Sequence, residues 1–465
     1  MTESANQVLT VAQMRAVEQA LIDAGESVDS LMQTAGKGAA EWVWRVAARH
    51  PVTVLTGPGN NGGDGYVIAE TLRQRGGQVA VIAATEPKTA AARNAAALYH
   101  GEVLGPETER HGEILVDCLF GSGLTRPLGP DHFALLNRLC QSHRHTIAID
   151  LPSGVETDTG AGLNENLPRF DLTIALGAWK SAHFLLPSRA ICGMTRLVPI
   201  GVAPVPHAAQ AIAKPHLRRP RLRDNKFTRG LVLVIAGQMP GAPVLAASAA
   251  IRGGAGYVKL AGAGASPLPP ELVAAAEPLE TLLADRRTSA VLIGPGLGRD
   301  SEARARLAAV LTANPRALVL DADALHLLSP DLPPPPNAIL TPHEGEVAAL
   351  EKAFALDSTQ AKPTRTLALA RHLNATVVFK GADTLIASPE GQLAYAPRAP
   401  AWLAMAGTGD VLAGLTAARL ATGMPPFIAA QEAVWLHTEA ARIAGPGLTA
   451  PDLAAAVPAA VARAI

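Results

Sequence analysis

Two aspartates stand where chemistry is easiest to build. Asp410 closes Gly407–Asp410 (GTGD), a glycine-rich turn that opens the apolar helical run Val411–Leu420. Backbone N–H groups at such a helix start form an anion hole, and a carboxylate beside it can take the proton of a hydroxyl being phosphorylated or assist its departure. Asp150 ends the apolar run Thr146–Ile149 and leads into Pro152–Gly154. Two neighbouring run ends are polar as well. Asp117 follows Ile114–Val116 and leads into Phe120–Pro127 (FGSGLTRP), where Arg126 can pair with phosphate. Gly57–Gly65 (GPGNNGGDG) follows Val52–Leu55 and precedes the helical pattern Tyr66–Arg75. Its glycines let backbone approach a ligand, and the helix start favours phosphate, so it reads as a nucleotide-binding loop. No GKS or GKT is present, which excludes a P-loop of the nucleoside-triphosphatase kind. Taken singly, each aspartate also suits a helix N-cap. Asn61, Asp117, Asp150 and Ser153, converging from successive strand ends, favour a site of acid/base or cation-binding character.

The second half repeats the arrangement with other residues. Gly294–Gly298 (GPGLG), Asp321–Leu325 (DADAL), Thr341–Glu346 (TPHEGE) and Lys380–Thr384 (KGADT) each follow an apolar run. In isolation Lys380 reads equally as a surface charge or a phosphate contact, and His343, after a proline turn, reads as a structural group before a catalytic one.

The elements that must position these residues are short apolar runs alternating with helical patterns. Val52–Leu55, Val79–Ala83, Ile114–Val116, Thr146–Ile149 and Leu172–Ala175 suit strands buried on both faces of a parallel sheet, preceded by helical segments within Leu9–His50. Leu231–Ile235, Tyr257–Leu260, Val291–Ile293, Ala317–Leu320, Thr376–Phe379 and Leu385–Ala387 do the same later, with helices such as Ala242–Ile251 and Ala303–Leu311 between them. Both halves therefore predict α/β folds, the first doubly wound. Between them Pro204, Pro206, Pro215 and Pro220 interrupt any helix and Arg218, Arg219, Arg221 and Arg223 cluster, which reads as a solvated linker. The expected division is 1–205, a linker over 206–226, and 227–465.

Composition narrows the partners. A chain of 465 residues with 48% hydrophobic and 17% charged residues can bury two cores. Lys plus Arg and Asp plus Glu number 40 each, so neither nucleic acid nor an anionic membrane is the expected partner. Three cysteines without a metal-ligand spacing, no signal-peptide pattern and no long apolar span lead to the expectation of a cytoplasmic protein. A homo-oligomer is expected, since Met14, Leu21 and Leu31–Met32 suit a subunit interface, although they equally suit packing on their own sheet.

Gln13–Glu18 (QMRAVE), GPGNNGGDG, Asp117–Pro127 (DCLFGSGLTRP) and Asp150–Gly160 (DLPSGVETDTG) together resemble the NAD(P)H-hydrate epimerase family, the YjeF N-terminal domain, over about residues 9–200. The resemblance implies a Rossmann-like fold in which Asn60, Asn61, Gly62, Gly63 and Asp64 hold the hydrated dinucleotide. Gly121, Ser122, Gly123, Leu124, Thr125, Arg126 and Pro127 would face it from the next turn. Asn61, Asp117 and Ser153 would coordinate K+ through oxygen, as a hard cation prefers, and Asp150 would contact the substrate as acid/base. Ser122 stands where many relatives have Thr; either side chain offers a hydroxyl.

TPHEGE, Met405–Asp410 (MAGTGD) and Ala249–Val258 (AAIRGGAGYV) resemble the ribokinase-like fold, and within it the ADP/ATP-dependent NAD(P)H-hydrate dehydratase family, over 227–465. By that resemblance Lys380, Gly381, Ala382, Asp383, Thr384 and Gly409 bind the adenine nucleotide, with Mg2+ accompanying ADP or ATP. Ala250, Gly296, His343 and Asp410 would contact the hydrated nicotinamide nucleotide. Asn225–Gly230 (NKFTRG) has Asn where His is usual, a departure confined to a peripheral loop.

The expected function is repair of NADHX and NADPHX. The first domain would interconvert the R and S epimers; the second would phosphorylate the hydroxyl of the S epimer and eliminate phosphate, leaving AMP when ADP is the donor. One alternative is a ribokinase-like small-molecule kinase with a regulatory nucleotide-binding domain, which would release a stable phosphorylated product. Another is a nucleotide-sensing scaffold without turnover, against which the presence of both Asp150 and Asp410 speaks.

Overall fold

The apolar runs are strands buried almost end to end, and they fall into two separate sheets. A computed structural model describes residues 5–262 and 268–465, and the chain divides into the compact units Met1–Gln210 and Ala211–Ile465. The first unit carries strands β1 (Val52–Thr56), β2 (Val79–Ala83), β3 (Glu102–Leu104), β4 (Gly112–Cys118), β5 (His143–Ile149), β6 (Leu172–Leu176) and β7 (Met194–Val198). They pair in parallel in the order β3-β2-β1-β4-β5-β6-β7. The order reverses between β1 and β4, and the crevice at the carboxyl ends of these strands is where such sheets bind ligands. β3 and β7 were not among the expected strands. They are sheet edges whose side chains, apart from the buried Val198, are exposed or half-buried, so they lack the continuous apolar run that marks the central strands.

Helices α1 (Val11–Asp23), α2 (Val28–Ala47), α3 (Asn60–Gln74), α4 (Ala90–Ala97) and α5 (Pro130–Ser142) cover the sheet. Thr10 and Gln13 form a capping box that fixes the start of α1. Met14 and Met32 are buried in the core with Val54, Val116 and Ile174, so these apolar residues pack on their own sheet. The glycine-rich stretch departs from its reading as a loop: α3 begins at Asn60, so Asn60–Gly65 are helical. The reason is packing. A Cβ on Gly62 would lie 2.0 Å from the Gly57 carbonyl oxygen, one on Gly63 2.5 Å from the Met32 sulfur, and one on Gly65 2.8 Å from the Cys118 Cβ. Glycine's low helix propensity is overridden because only glycine lets α3 sit this close to its neighbours.

The second unit has β8 (Leu231–Ile235), β9 (Tyr257–Ala261), β10 (Val273–Ala275), β11 (Thr288–Ile293), β12 (Leu318–Leu320), β13 (Ile339–Leu340), β14 (Thr376–Phe379), β15 (Leu385–Ala387) and β16 (Leu393–Tyr395). Their order is β16-β15-β14-β13-β12-β11-β8-β9-β10, parallel except for the antiparallel pairs β14–β15 and β15–β16. Helices α6 (Gly241–Arg252), α7 (Ser301–Ala313), α8 (Glu344–Ala353), α9 (Lys362–Leu373), α10 (Thr408–Ala421), α11 (Pro426–Ala444) and α12 (Ala450–Ala464) flank it. Nearly every residue of α10 is buried, as an all-round apolar helix must be. A Cβ on Gly414 would lie 2.0 Å from the Ala246 carbonyl oxygen, so α10 meets α6 backbone to backbone. Part of the expected linker belongs to this unit: Ile212 and Leu217 are buried in its core, and their N–H groups donate to Tyr395 and Ala464 at 2.8 Å each. Among the described residues, no helix is long and apolar enough to cross a membrane.

Candidate active sites

The carboxyl ends of β1, β4, β5 and β6 bring Asn60, Asn61, Asp64, Leu119–Pro127, Asp150 and Lys180 around one crevice of about 660 Å³. Gly62 and Gly63 do not line it; they turn inward against Gly57 and Met32. Helix α1 adds Arg15 and Glu18 to its wall. Asp150 is 6% exposed and heavily bonded. One carboxylate oxygen accepts the Ser122 N–H at 3.0 Å; the other accepts the Leu176 N–H at 3.3 Å and the ammonium of Lys180. Burial alone would raise the Asp150 carboxyl, but Lys180 and these donors hold it below its ordinary value, so it is ionised at neutral pH. Lys180 is 1% exposed, and its ammonium also donates to the Leu176 carbonyl at 2.6 Å. The sequence reading missed Lys180. The available signal was a lone lysine a few residues past the fully buried strand Leu172–Leu176, a looser placement than that of Asp150 directly at its strand's end.

The other carboxylates here are pushed the opposite way. Asp64, on the second turn of α3, lies well above its ordinary value through burial and the nearby charges of Asp150 and Glu18. Burial likewise raises Glu18, with Lys180 opposing. The crevice thus sets one carboxylate held below its ordinary pKa beside two raised above theirs, the kind of separation by which one site divides acid and base roles.

Asp117 is fully buried. Its oxygens accept the Leu119 N–H at 3.0 Å, the Ser153 N–H at 3.0 Å and the Ser153 hydroxyl at 2.8 Å. Burial pushes it up to about 6 against these donors. The Ser153 hydroxyl oxygen also accepts the Phe120 N–H at 2.9 Å, which ties the turns after β4 and β5 together. Both polar atoms of the Asn61 side chain are buried without a hydrogen-bond partner among the described residues. A buried amide in that state costs free energy, so Asn61 calls for a partner of another kind.

In the second unit Asp321, at the end of β12, accepts the Thr341 hydroxyl and the Lys380 ammonium, both at 2.7 Å. Lys380 follows β14 and lies 3.7 Å from the Glu346 carboxylate. Burial works against its charge, yet Asp321, Glu346 and Asp410 together raise its pKa. Lys380 is therefore a half-buried, paired cation and not a free surface charge. Asp321 was named only within its motif; its direct bond to Lys380, 59 residues along the chain, was not legible there.

Asp410 is not the cap of its helix. Gly407, at φ +88°, is the N-cap of α10, and Asp410 is its third residue. Burial raises the Asp410 carboxyl to about 7, with Asp321 adding to the effect and Lys380 opposing it. A Cβ on Gly409 would lie 3.5 Å from the Lys380 ammonium, so GTGD and KGADT face each other. In KGADT the Thr384 hydroxyl accepts the Gly381 N–H at 3.1 Å, and Asp383 pairs with Lys362 at 2.5 Å. Ala382 lies between them in the same short loop. His343 caps α8 through a capping box with Glu346, while its side chain stays exposed towards solvent.

Gly296 adopts φ +62° in the turn after β11, and a Cβ there would meet the Met239 carbonyl oxygen at 2.3 Å and the Ala242 Cβ at 3.3 Å. Ala250 is a correction: it is fully buried in the core, in the last turns of α6, and offers no surface to a ligand. In a parallel sheet the helix end near the strands' carboxyl ends is the N-terminal one, and Ala242 in the first turn of α6 is the small residue beside Gly296.

The comparisons with known proteins agree with this division. The family model for NAD(P)H-hydrate dehydratase matches residues 232–456, and that for the YjeF-related protein N-terminus matches residues 28–182. The chain is 35% identical to the bifunctional NAD(P)H-hydrate repair enzyme Nnr of Gloeobacter violaceus, over 92% of each protein. It is 35% identical to the protein of the same description from Mycobacterium tuberculosis, over 80% of this chain and 79% of that one. Among solved structures, the ADP/ATP-dependent NAD(P)H-hydrate dehydratase of Bacillus subtilis, co-crystallised with ATP/Mg2+, is 28% identical, with 54% of this chain and 95% of that one covered and a TM-score of 0.47.

Proposed function

The chain belongs to the family of bifunctional NAD(P)H-hydrate repair enzymes, and we propose that its two crevices divide the family's two reactions, epimerisation in the first unit and nucleotide-dependent dehydration in the second. The observation that carries this reading is the pair of opposite electrostatic settings: Asp150 held ionised against Lys180, and Asp410 raised to about 7 beside Lys380.

In the hydrate the hydroxyl sits on the carbon next to the ring nitrogen. Epimerisation there needs either reversible opening of the carbon–nitrogen bond or reversible loss of the hydroxyl. Either route moves one proton on and one off, and the Asp150–Lys180 pair serves both directions. Asn60, Asn61, Asp64 and Gly121–Pro127 line the crevice that takes the dinucleotide, with Arg126 for its phosphates. K+ would be held there by oxygen donors as a hard cation prefers, the unpartnered amide oxygen of Asn61 together with oxygens of Asp117 and Ser153. That charge would order the substrate's oxygens within the crevice.

In the second unit Lys380 and the KGADT loop would hold the phosphates of ADP or ATP, and accompanying Mg2+ would supply charge neutralisation for the transferring phosphoryl group. Asp410 in its ionised form accepts the hydroxyl proton as that oxygen bonds to the terminal phosphorus and the nucleotide leaves. Phosphate then departs with the carbon–oxygen bonding pair, pushed out by the ring nitrogen, and loss of a proton from the adjacent carbon restores the dihydronicotinamide. Backbone N–H groups at the start of α10 stabilise the charge on the transferring group.

The test supplies a mixture of NADHX epimers with ADP or ATP and follows the absorbance of the reduced nicotinamide together with inorganic phosphate. Full recovery of the mixture is expected. A stable phosphorylated product without recovery would favour a plain kinase, and no turnover with either nucleotide would sink the reading.

A further inference from the structure

One side chain that the chemistry above does not use touches both members of the Asp150–Lys180 pair. His183 is 4% exposed. Its Nε2 lies 2.8 Å from the Asp150 carbonyl oxygen, and its Nδ1 lies 2.9 Å from the Lys180 backbone nitrogen. A carbonyl only accepts and a backbone N–H only donates, so the partners fix the ring as the neutral Nε2–H tautomer. Burial, with Lys180 adding to it, lowers the ring's pKa to about 4 and keeps it neutral. Trp179 packs edge-on against it, with ring centroids 5.6 Å apart at 79°.

The backbone that this ring grips is unusual. Asp150 has φ +66°, in the left-handed region that non-glycine residues seldom adopt. Its N–H donates to the Ile174 carbonyl at 2.7 Å, and its own carbonyl accepts from His183. In this conformation the carboxylate turns back across the strand ends towards Ser122, Leu176 and Lys180. Lys180 comes from a different segment, the turn after β6, whose backbone is held by the other ring nitrogen of the same histidine.

We propose that His183 is the positioning residue of the epimerase site: by bonding the backbones of Asp150 and Lys180 through its two ring nitrogens, it presents carboxylate and ammonium to the substrate as one preset pair. This rests on the epimerase reading of the crevice. A pair preset in this way loses rate when the clamp goes, because misplacement of the reacting groups by about 1 Å is enough to cost two orders of magnitude.

The test uses the full chain. His183→Phe keeps a ring of similar size and removes both hydrogen bonds; His183→Gln returns one donor and one acceptor. Interconversion of the NADHX epimers is measured against pH, and dehydration of the S epimer in the same preparation reports on the second unit. The Phe variant is expected to lose at least about tenfold in kcat with KM nearly unchanged and an altered pH profile. The Gln variant should recover much of that loss, and dehydration should be unaffected. A folded Phe variant with wild-type kcat and pH profile overturns the proposal, as does a Gln variant no better than Phe. Should the Phe variant not fold, His183→Asn accepts from Lys180 but is too short for the Asp150 carbonyl; wild-type kcat in that variant is equally fatal. If the unsubstituted chain itself leaves the epimers unconverted, the epimerase reading fails first and this proposal with it.

Discussion

Asp410→Asn should remove dehydration and at the same time stabilise the second unit. The carboxyl is raised to about 7, chiefly by burial, then by Asp321, with Lys380 opposing. As a base it works only when ionised, so single-turnover dehydration by the unsubstituted chain should rise about tenfold from pH 6 to pH 8. The Asn variant keeps the shape and loses the base, an expected drop of about 10²–10⁴-fold, with the pH limb gone. The stability effect has the opposite sign. The folded pKa lies above the unfolded value of 3.8, so the native state binds the extra proton between the two, and stability falls as pH rises through that window. At pH 8 the cost is on the order of 4 kcal/mol, reduced by the water the open crevice admits. Asn carries no such penalty, so the second unit of the variant should unfold at a higher temperature at pH 8 and show no advantage near pH 4. Two results would refute the reasoning: dehydration by the Asn variant within about tenfold of the parent, or a parent rate that is flat from pH 6 to 8.

Lys380→Met removes the charge that holds Asp410 down, so the rising limb should move to higher pH by about one unit or more, read from the pH profile independently of any loss of ADP affinity. Asp150→Asn and Lys180→Met should each suppress epimerisation, followed by NMR of the two epimers, while dehydration of the S epimer continues; because the two act as a pair, the double variant should be little worse than either single one. Replacing K+ by Na+ should slow epimerisation in the parent and make no difference in Asn61→Ala, compared by rate in matched salt. Gly62→Ala places a methyl 2.0 Å from the Gly57 carbonyl oxygen, which should cost the first unit about 3 kcal/mol or more in thermal unfolding and leave dehydration intact.

The chain by itself determined the central strands and the chemistry placed at their ends. Val52–Thr56 and Thr376–Phe379 were legible because a strand buried on both faces reads as an unbroken apolar run. GTGD and the Asp150 segment were legible because a glycine turn that opens an apolar helix, or a charge that ends an apolar strand, is a local pattern. Tertiary structure decided what depended on neighbours distant in sequence. Helix α3 starts at Asn60 against its glycines' propensity because Gly57, Met32 and Cys118 press on it. Ala250 fell in the core because its helix presents its other end to the strand tips. Lys180 joined the first crevice, with His183 buried behind it, only once the segment after β6 folded back onto Asp150. Whether Asp150 or Asp410 holds its proton at neutral pH was likewise decided by folding, since water sets both aspartates alike in the unfolded chain, and only burial and the placement of Lys180 or Lys380 separate them.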